Sequence, residues 1–280
     1  MSAVAILHPL VRRLTAPNAS AYTFTGTQTY LVGRGEVAVI DPGPADGPHV
    51  AAILAAAAGE RIVAIVCTHT HRDHSPAAAL LKAATGAAIV GCAALVPAAG
   101  ADGGVDAAYD LEYAPDRVLA DGDEVAGEGW TLRALATPGH TSNHLCYALP
   151  EADALFSGDH VMGWSTSIVS PPDGDMGAYM ASLERLVGRD ELVYWPGHGE
   201  PVDRPQRLVR GMLGHRKQRE GQILRRLGDT PATIAELVAT MYAGLDEKLR
   251  GAAARSVLAH LVDLERRGMV IGGETWARTV

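Results

Sequence analysis

Residues 62–74 read IVAIVCTHTHRDH. The first five are short, branched and apolar, and charge bounds them, which predicts a strand buried in a sheet. The loop that follows holds His69, His71, Asp73 and His74 within six positions. Imidazole offers a neutral nitrogen and carboxylate a charged oxygen, and both suit zinc or related ions. Alternation along the loop sends His69 and His71 one way, and a turn brings Asp73 and His74 beside them.

Three later segments repeat this order. TLRALA (131–136) leads into Thr137-Pro138-Gly139-His140, ALFS (154–157) into Gly158-Asp159, and LVYW (192–195) into Pro196-Gly197-His198-Gly199. Each time an apolar strand is followed by a glycine and then a ligand-type residue. Sites in α/β sheets form outside the carboxyl ends of strands. The candidate ligands are thus seven: His69, His71, Asp73, His74, His140, Asp159 and His198. That exceeds the needs of one tetrahedral ion and suits two ions sharing a bridging carboxylate, with room for water. Asp41, after the strand Glu36–Ile40, reads equally as an acceptor behind a ligating His and as the turn-former of Asp-Pro-Gly.

The rest of the chain alternates strand and helix early and is strand-rich in the middle, which predicts layered α/β structure with mixed sheets. Thr29–Val32 and Glu36–Ile40 form a hairpin around Gly33-Arg34-Gly35. Asp46–Ala58 is a helix. A second helix starts with Ser75 as N-cap and Pro76 at its first position and ends near Thr85. Ala87–Val90, Thr131–Ala136, His144–Leu149, Ala154–Ser157 and Leu192–Trp195 are strands; Gly100–Gly104 and Asp121–Gly129 are loops. After Pro205 the pattern turns helical: Gln206–Leu227, then Thr233–Tyr242 with Thr233 and Glu236 as a capping box, then a helix within Asp246–Arg267. A small ribbon over Met269–Ile271, Gly272-Gly273 and Trp276 closes a compact winged helix-turn-helix. The predicted domains are 1–204 and 205–280.

Charge supports that division. Residues 1–204 carry 11 Lys and Arg against 24 Asp and Glu, a balance of −13, and residues 205–280 carry 13 against 8, a balance of +5. A basic tail on an acidic body points to an anionic partner or simply to a solvated helical surface. The longest apolar run, Val50–Ala58, falls short of the about 20 residues of a membrane span. His8, Pro9 and the trailing Arg12-Arg13 make the N-terminus a poor signal peptide. Three widely spaced cysteines (Cys67, Cys92, Cys146) write no disulfide framework, so a cytoplasmic protein with packed thiols and no membrane partner is expected.

HTHRDH, PGHT, GDH and PGHG, in this order, resemble the metallo-β-lactamase superfamily. The resemblance implies an αββα sandwich with metals at one edge. It implies one metal held by His69, His71 and His140, the other by Asp73, His74 and His198, with Asp159 bridging. Several zinc β-lactamases place Cys where Asp159 stands, and the di-iron flavoprotein branch has Glu at the position of His71; both departures favour the hydrolase branch with glyoxalase II, lactonases and RNA-processing nucleases. ATPGHTSNHL, FSGDHVMGWST, YWPGHG, the HRKQRE helix and the tail further resemble the lactamase-B-like endoribonuclease family, whose members carry a C-terminal winged helix. Its animal member cleaves single-stranded RNA and its fungal relatives are polyketide thioesterases.

The expected function is a binuclear hydrolase using a metal-bridging hydroxide on single-stranded RNA. The alternatives are a thioesterase or lactonase of glyoxalase II type, acting on a small ester or thioester, and a ligand-sensing DNA-binding regulator. Two zinc ions are expected, with manganese or iron as substitutes. Asp73 and Asp159 would aim the nucleophile, and His144, four residues after His140, would contact substrate or donate a proton, against a packed strand role. Trp164 and Thr166 would wall the pocket. His160 and His215 read as structural, and His8, His49 and His260 as surface residues. Arg255, Arg266 and Arg267 would contact phosphates, or the tail would roof the site or form a homodimer contact.

Overall fold

The computed structural model describes residues 3–96 and 108–279, so the loop expected at Gly100–Gly104 lies outside the described residues. By contact the chain forms two units. The first takes the residues through Thr137, then Asn143–Thr166 and Arg189–Pro205. The second takes Pro138–Ser142, Ser167–Gly188 and the chain from Gln206 onward. The sequence division at 204/205 leaves those two earlier segments with the sandwich. Contact groups them with the C-terminal part.

Two sheets build the first unit. In the larger, β1 (Ala5–His8), β2 (Val11–Thr15), β3 (Gln28–Val32), β4 (Glu36–Ile40), β5 (Arg61–Cys67), β6 (Ala88–Gly91) and β7 (Arg117–Val118) lie in sequence order. Pairing is antiparallel from β1 to β4 and parallel from β4 to β7. Parallel neighbours need crossovers. Helix α1 (Gly47–Ala56) joins β4 to β5, and α2 (Ala77–Thr85) joins β5 to β6. The smaller sheet runs in the order β12 (Val193–Pro196), β11 (Ala154–Gly158), β10 (Leu145–Leu149), β9 (Trp130–Ala136) and β8 (Glu124–Gly127). One buried cluster draws Leu31, Val39 and Ile65 from the first sheet and Leu132, Tyr147 and Phe156 from the second. Each such side chain contributes roughly 1.5–3 kcal/mol by leaving water.

Several expected elements form as read and several differ. Asp46 caps α1, accepting from the His49 amide at 2.7 Å. Ser75 does not cap α2: the helix begins after Pro76, and the Ser75 hydroxyl donates to Asp110 Oδ2 at 2.7 Å. A tertiary carboxylate thus takes the hydroxyl that local geometry would have offered to the helix. Within the loop expected at Asp121–Gly129 lies β8, a short strand that pairs antiparallel with β9 from Glu124↔Arg133 to Gly127↔Trp130. Its polar composition hides it, because an edge strand needs a partner more than an apolar pattern. The N-terminal strands β1 and β2 and helix α3 (Met176–Leu186) were not foreseen. All three cysteines are buried and outside any disulfide, and burial pushes the thiols of Cys67 and Cys92 up.

The second unit is helical. It holds α3, α4 (Pro205–Asp229, its first residue aside), α5 (Ile234–Met241), α6 (Arg250–Arg266) and a ribbon of β13 (Val270–Ile271) with β14 (Ala277–Arg278). The capping box forms as expected: the Glu236 amide donates to Thr233 Oγ1 at 3.2 Å, and the Thr233 amide donates to Glu236 Oε2 at 2.7 Å. Ile223, Leu237, Val257, Leu261 and Trp276 share a core. Ser182 Oγ donates to Pro138 O at 2.8 Å, and Arg266 pairs with Asp175 at 2.6 Å, which is why the two earlier segments belong here. Arg267 pairs with Glu220 and Asp263, so two of the three arginines expected at phosphates are held in ion pairs, and Arg255 is exposed. Among the described residues no helix is long and apolar enough to cross a membrane.

His49 and His260, expected at the surface, are buried, while His8 is half-buried. Burial first, then the positive charges of Arg216, His215, Arg267 and Arg219, hold the His260 imidazole down at about 3. A folded-state value below the unfolded one means the fold prefers neutral His260. That preference is intact above the unfolded value of about 6.5 and is lost as pH falls toward 3. Unfolding free energy should therefore drop by roughly 2 kcal/mol between pH 7 and pH 5 through this group alone. Denaturant titrations of wild type and His260→Gln at both pH values measure it; an equal drop in the two proteins would refute the assignment.

Candidate metal centre

Six of the seven expected ligands stand in the first unit, at the carboxyl ends of three strands. His69, His71, Asp73 and His74 follow β5; Asp159 follows β11; His198 follows β12. Ligand atoms of Asp73, His74 and His198 lie within 4.8 Å of one another, and so do those of His69, His71 and Asp159. Each group can hold a metal ion. His74 Nε2 is 3.3 Å from His198 Nε2 and 3.3 Å from Asp73 Oδ2. His198 Nε2 is 3.1 Å from Asp73 Oδ2. Asp159 joins both groups: its Oδ1 is 3.5 Å from His74 Nε2 and its Oδ2 is 3.4 Å from His198 Nε2. Its two oxygens therefore face different rings of the site.

Outer contacts choose which ring nitrogen faces inward. Asp41 accepts from His74 Nδ1 through Oδ2 at 2.9 Å, and from the Thr68 amide and hydroxyl at 2.8 Å each. Asp41 thus stands behind the candidate ligand His74 as an acceptor, and its φ of 47° also fits the turn. His198 Nδ1 donates to Gly26 O at 3.3 Å. Thr68 Oγ1 lies 2.9 Å from His69 Nδ1. With Nδ1 of His69, His74 and His198 engaged, Nε2 is the ring nitrogen left to coordinate an ion. Thr27 Oγ1 donates to Asp73 Oδ2 at 3.0 Å, a contact sequence reading missed because the two residues are 46 positions apart.

The electrostatics fit a cation. Burial opposes charge on His74, yet Asp73, Asp159 and Asp41 outweigh it and hold the imidazole well above the usual histidine range. Burial likewise opposes charge on His198, and Asp159 and Asp73 push it up to about 9. Burial also works against ionised Asp73, but His74 and His198 hold its carboxyl well below the carboxylate range. Two carboxylates thus draw positive charge between facing nitrogens, a demand that a divalent ion meets as a proton does. Gly197 keeps the space open. A Cβ there would stand 2.5 Å from Asp159 Oδ1 and 2.7 Å from His74 Cε1.

The remaining expected residues are placed as follows. His144 is buried, with Nδ1 2.9 Å from Thr137 Oγ1, while Nε2 accepts from the Asp159 amide at 3.2 Å. An Nε2 that accepts has no proton to give, so His144 holds the Asp159 backbone. His160 is fully buried. Trp164 is half-buried and stacks on Phe24, with ring centroids 5.0 Å apart; Thr166 is exposed. His140 lies in the second unit, where its Nδ1 donates to Ile168 O at 2.6 Å.

The profile of the metallo-beta-lactamase superfamily matches residues 22–198, which span both ligand groups. The chain belongs to the metallo-beta-lactamase superfamily. The profile of the beta-lactamase associated winged helix domain matches residues 233–276, covering α5, α6 and β13. This superfamily member is 33% identical over 280 residues to the beta-lactamase-like protein 2 homolog of Drosophila melanogaster, covering 94% of this chain and 92% of that one. It is also 33% identical over 260 residues to an atrochrysone carboxyl ACP thioesterase of Aspergillus fumigatus, covering 86% of this chain and 76% of that one. A metallo-beta-lactamase family protein of Thermus thermophilus shares the fold, with a TM-score of 0.79 at 24% identity over 98% of this chain and all of that one. As a member of this superfamily, the protein is a hydrolase of mixed α/β fold with a C-terminal winged helix domain.

Proposed function

We propose that the protein hydrolyses an acyl thioester or ester at a centre of two metal ions, zinc by preference. The observation that carries this reading is Asp159, whose two oxygens face His74 and His198 while its side chain also belongs to the His69–His71 group. By the resemblance carried by its PGHT motif, His140 would be a further ligand of that position. Bound ions of this class act as Lewis acids and lower the pKa of water to roughly 7. The thioester preference draws on the likeness to the fungal thioesterase and on the −13 balance of residues 1–204, which repels a polyanion.

The residues divide the work. Asp73, whose carboxyl is held well below the usual carboxylate range by His74 and His198, and Asp159 would each accept a hydrogen bond from the attacking water and aim it. Thr27 Oγ1 takes one lone pair of Asp73 Oδ2 and so fixes the carboxylate plane. His144 positions Asp159 through its amide, and Asp41 sets the His74 tautomer. A second reading, cleavage of single-stranded RNA, is favoured by the winged helix and the +5 balance of residues 205–280.

A panel of an acyl N-acetylcysteamine thioester, S-lactoylglutathione, a homoserine lactone, single-stranded RNA and nitrocefin separates the two. Thioester turnover that disappears on chelation and returns with zinc is the expected result. RNA turnover without thioester turnover would replace the first reading by the second. No turnover of any substrate, with a footprint on specific duplex DNA, would leave a DNA-binding regulator.

A further inference from the structure

The turn between β2 and β3 carries two exposed aromatic side chains. Tyr22 is 66% exposed and Phe24 47%. Phe24 also adopts φ 55°, a left-handed conformation that bulky residues rarely take. Strain of this kind persists where surroundings impose it, and it clusters at functional sites. Here the surroundings are a polar staple. Thr23 Oγ1 donates to Asn18 O at 2.6 Å and lies 2.9 Å from Ser20 Oγ, and Asn18 Oδ1 accepts from the Thr27 amide at 2.9 Å.

The staple is anchored on the metal ligands themselves. Thr27 donates to Asp73, and the Gly26 carbonyl accepts from His198. The Phe24 ring lies nearly parallel to Trp164, at 13° between planes. Trp164 in turn lies against Gly199, the residue after ligand His198. A Cβ at Gly199 would stand 2.9 Å from Trp164 Cδ1. Backbone, indole and phenyl ring are thus assembled beside the second metal position, and the phenyl ring remains half-exposed. Water gains nothing from such an arrangement; a planar ring does, through offset stacking.

We propose that the Phe24–Trp164 stack is the binding platform for a planar aromatic group in the acyl portion of the substrate. The proposal rests on the ester or thioester reading and narrows its substrate class to aryl acyl groups. A nucleobase would also stack, but its phosphates would need cationic partners. The acidic body supplies few, with 11 Lys and Arg against 24 Asp and Glu.

The test uses the metal-loaded full chain. It compares kcat/KM for the 2-naphthoyl and butanoyl thioesters of N-acetylcysteamine, and separately measures 2-naphthoate binding by calorimetry, which needs no turnover. Phe24→Leu keeps an apolar side chain and loses the ring; Phe24→Tyr keeps the ring. In Phe24→Leu the naphthoyl-to-butanoyl ratio should fall roughly threefold to tenfold, naphthoate binding should weaken by a similar factor, and Phe24→Tyr should restore both. If no thioester is hydrolysed but naphthoate binds in a ring-dependent way, the platform stands and the hydrolytic reading falls. Naphthoate binding unchanged in Phe24→Leu overturns the platform, as does equal loss on both thioesters. Ring-dependent binding of a single-stranded pentanucleotide in place of naphthoate overturns the acyl assignment.

Discussion

Asp159→Ala should lower kcat on the hydrolysed substrate by at least about a thousandfold, roughly 4 kcal/mol of lost transition-state stabilisation. The size follows from position. Its carboxylate faces His74 and His198 through different oxygens and shares the group of His69 and His71. Removing it would take from the two proposed metal positions the ligand they would share, and leaves the facing imidazoles of His74 and His198 with less negative charge between them. Elemental analysis should show fewer ions per chain than in wild type, measured on the same preparation as the rate. Full activity in the variant would mean that the observed hydrolysis belongs to a contaminant or uses other residues.

Asp41→Asn should weaken metal binding about 10- to 100-fold while the chain still folds. Asn tolerates the left-handed conformation Asp41 adopts, at φ 47°, so the backbone is not the issue. The loss comes from hydrogen-bond accounting. Asp41 accepts from three donors: His74 Nδ1, the Thr68 amide and the Thr68 hydroxyl. An amide side chain has one oxygen for them and turns donor hydrogens toward at least one. His74 then places its proton on Nε2, the nitrogen that should coordinate. Competition with a chromogenic chelator reads the affinity directly, and an unchanged dissociation constant would show that Asp41 only forms the turn.

Much of the site is legible in the chain because its chemistry is written in residue types. Seven His and Asp residues, each after an apolar strand and three of them directly after a glycine, write a candidate metal centre before any path is known. The capping box at Thr233 and Glu236 is equally local, and so is the turn that ends in helix α1. Other features were hidden for one recurring reason. The β8 strand needed β9 to pair with, Ser75 was claimed by Asp110, and His49 and His260 became interior only when other elements covered them. His144 has the residue type and spacing of a proton donor beside the site, and only the fold shows its Nε2 accepting from Asp159.

The amino-acid sequence by itself determined the candidate ligands, the strands that precede them and the winged helix that follows, since hydrophobic period and side-chain chemistry are local properties. Only the tertiary structure decided which nitrogen of His74 and of His198 turns inward, that Asp159 lies between two groups, and that Phe24 meets Trp164. Those facts rest on contacts between residues from 33 to 172 positions apart, such as Asp41 with His74 and Gly26 with His198. Such contacts form where the folded backbone happens to pass, and no local pattern records that path.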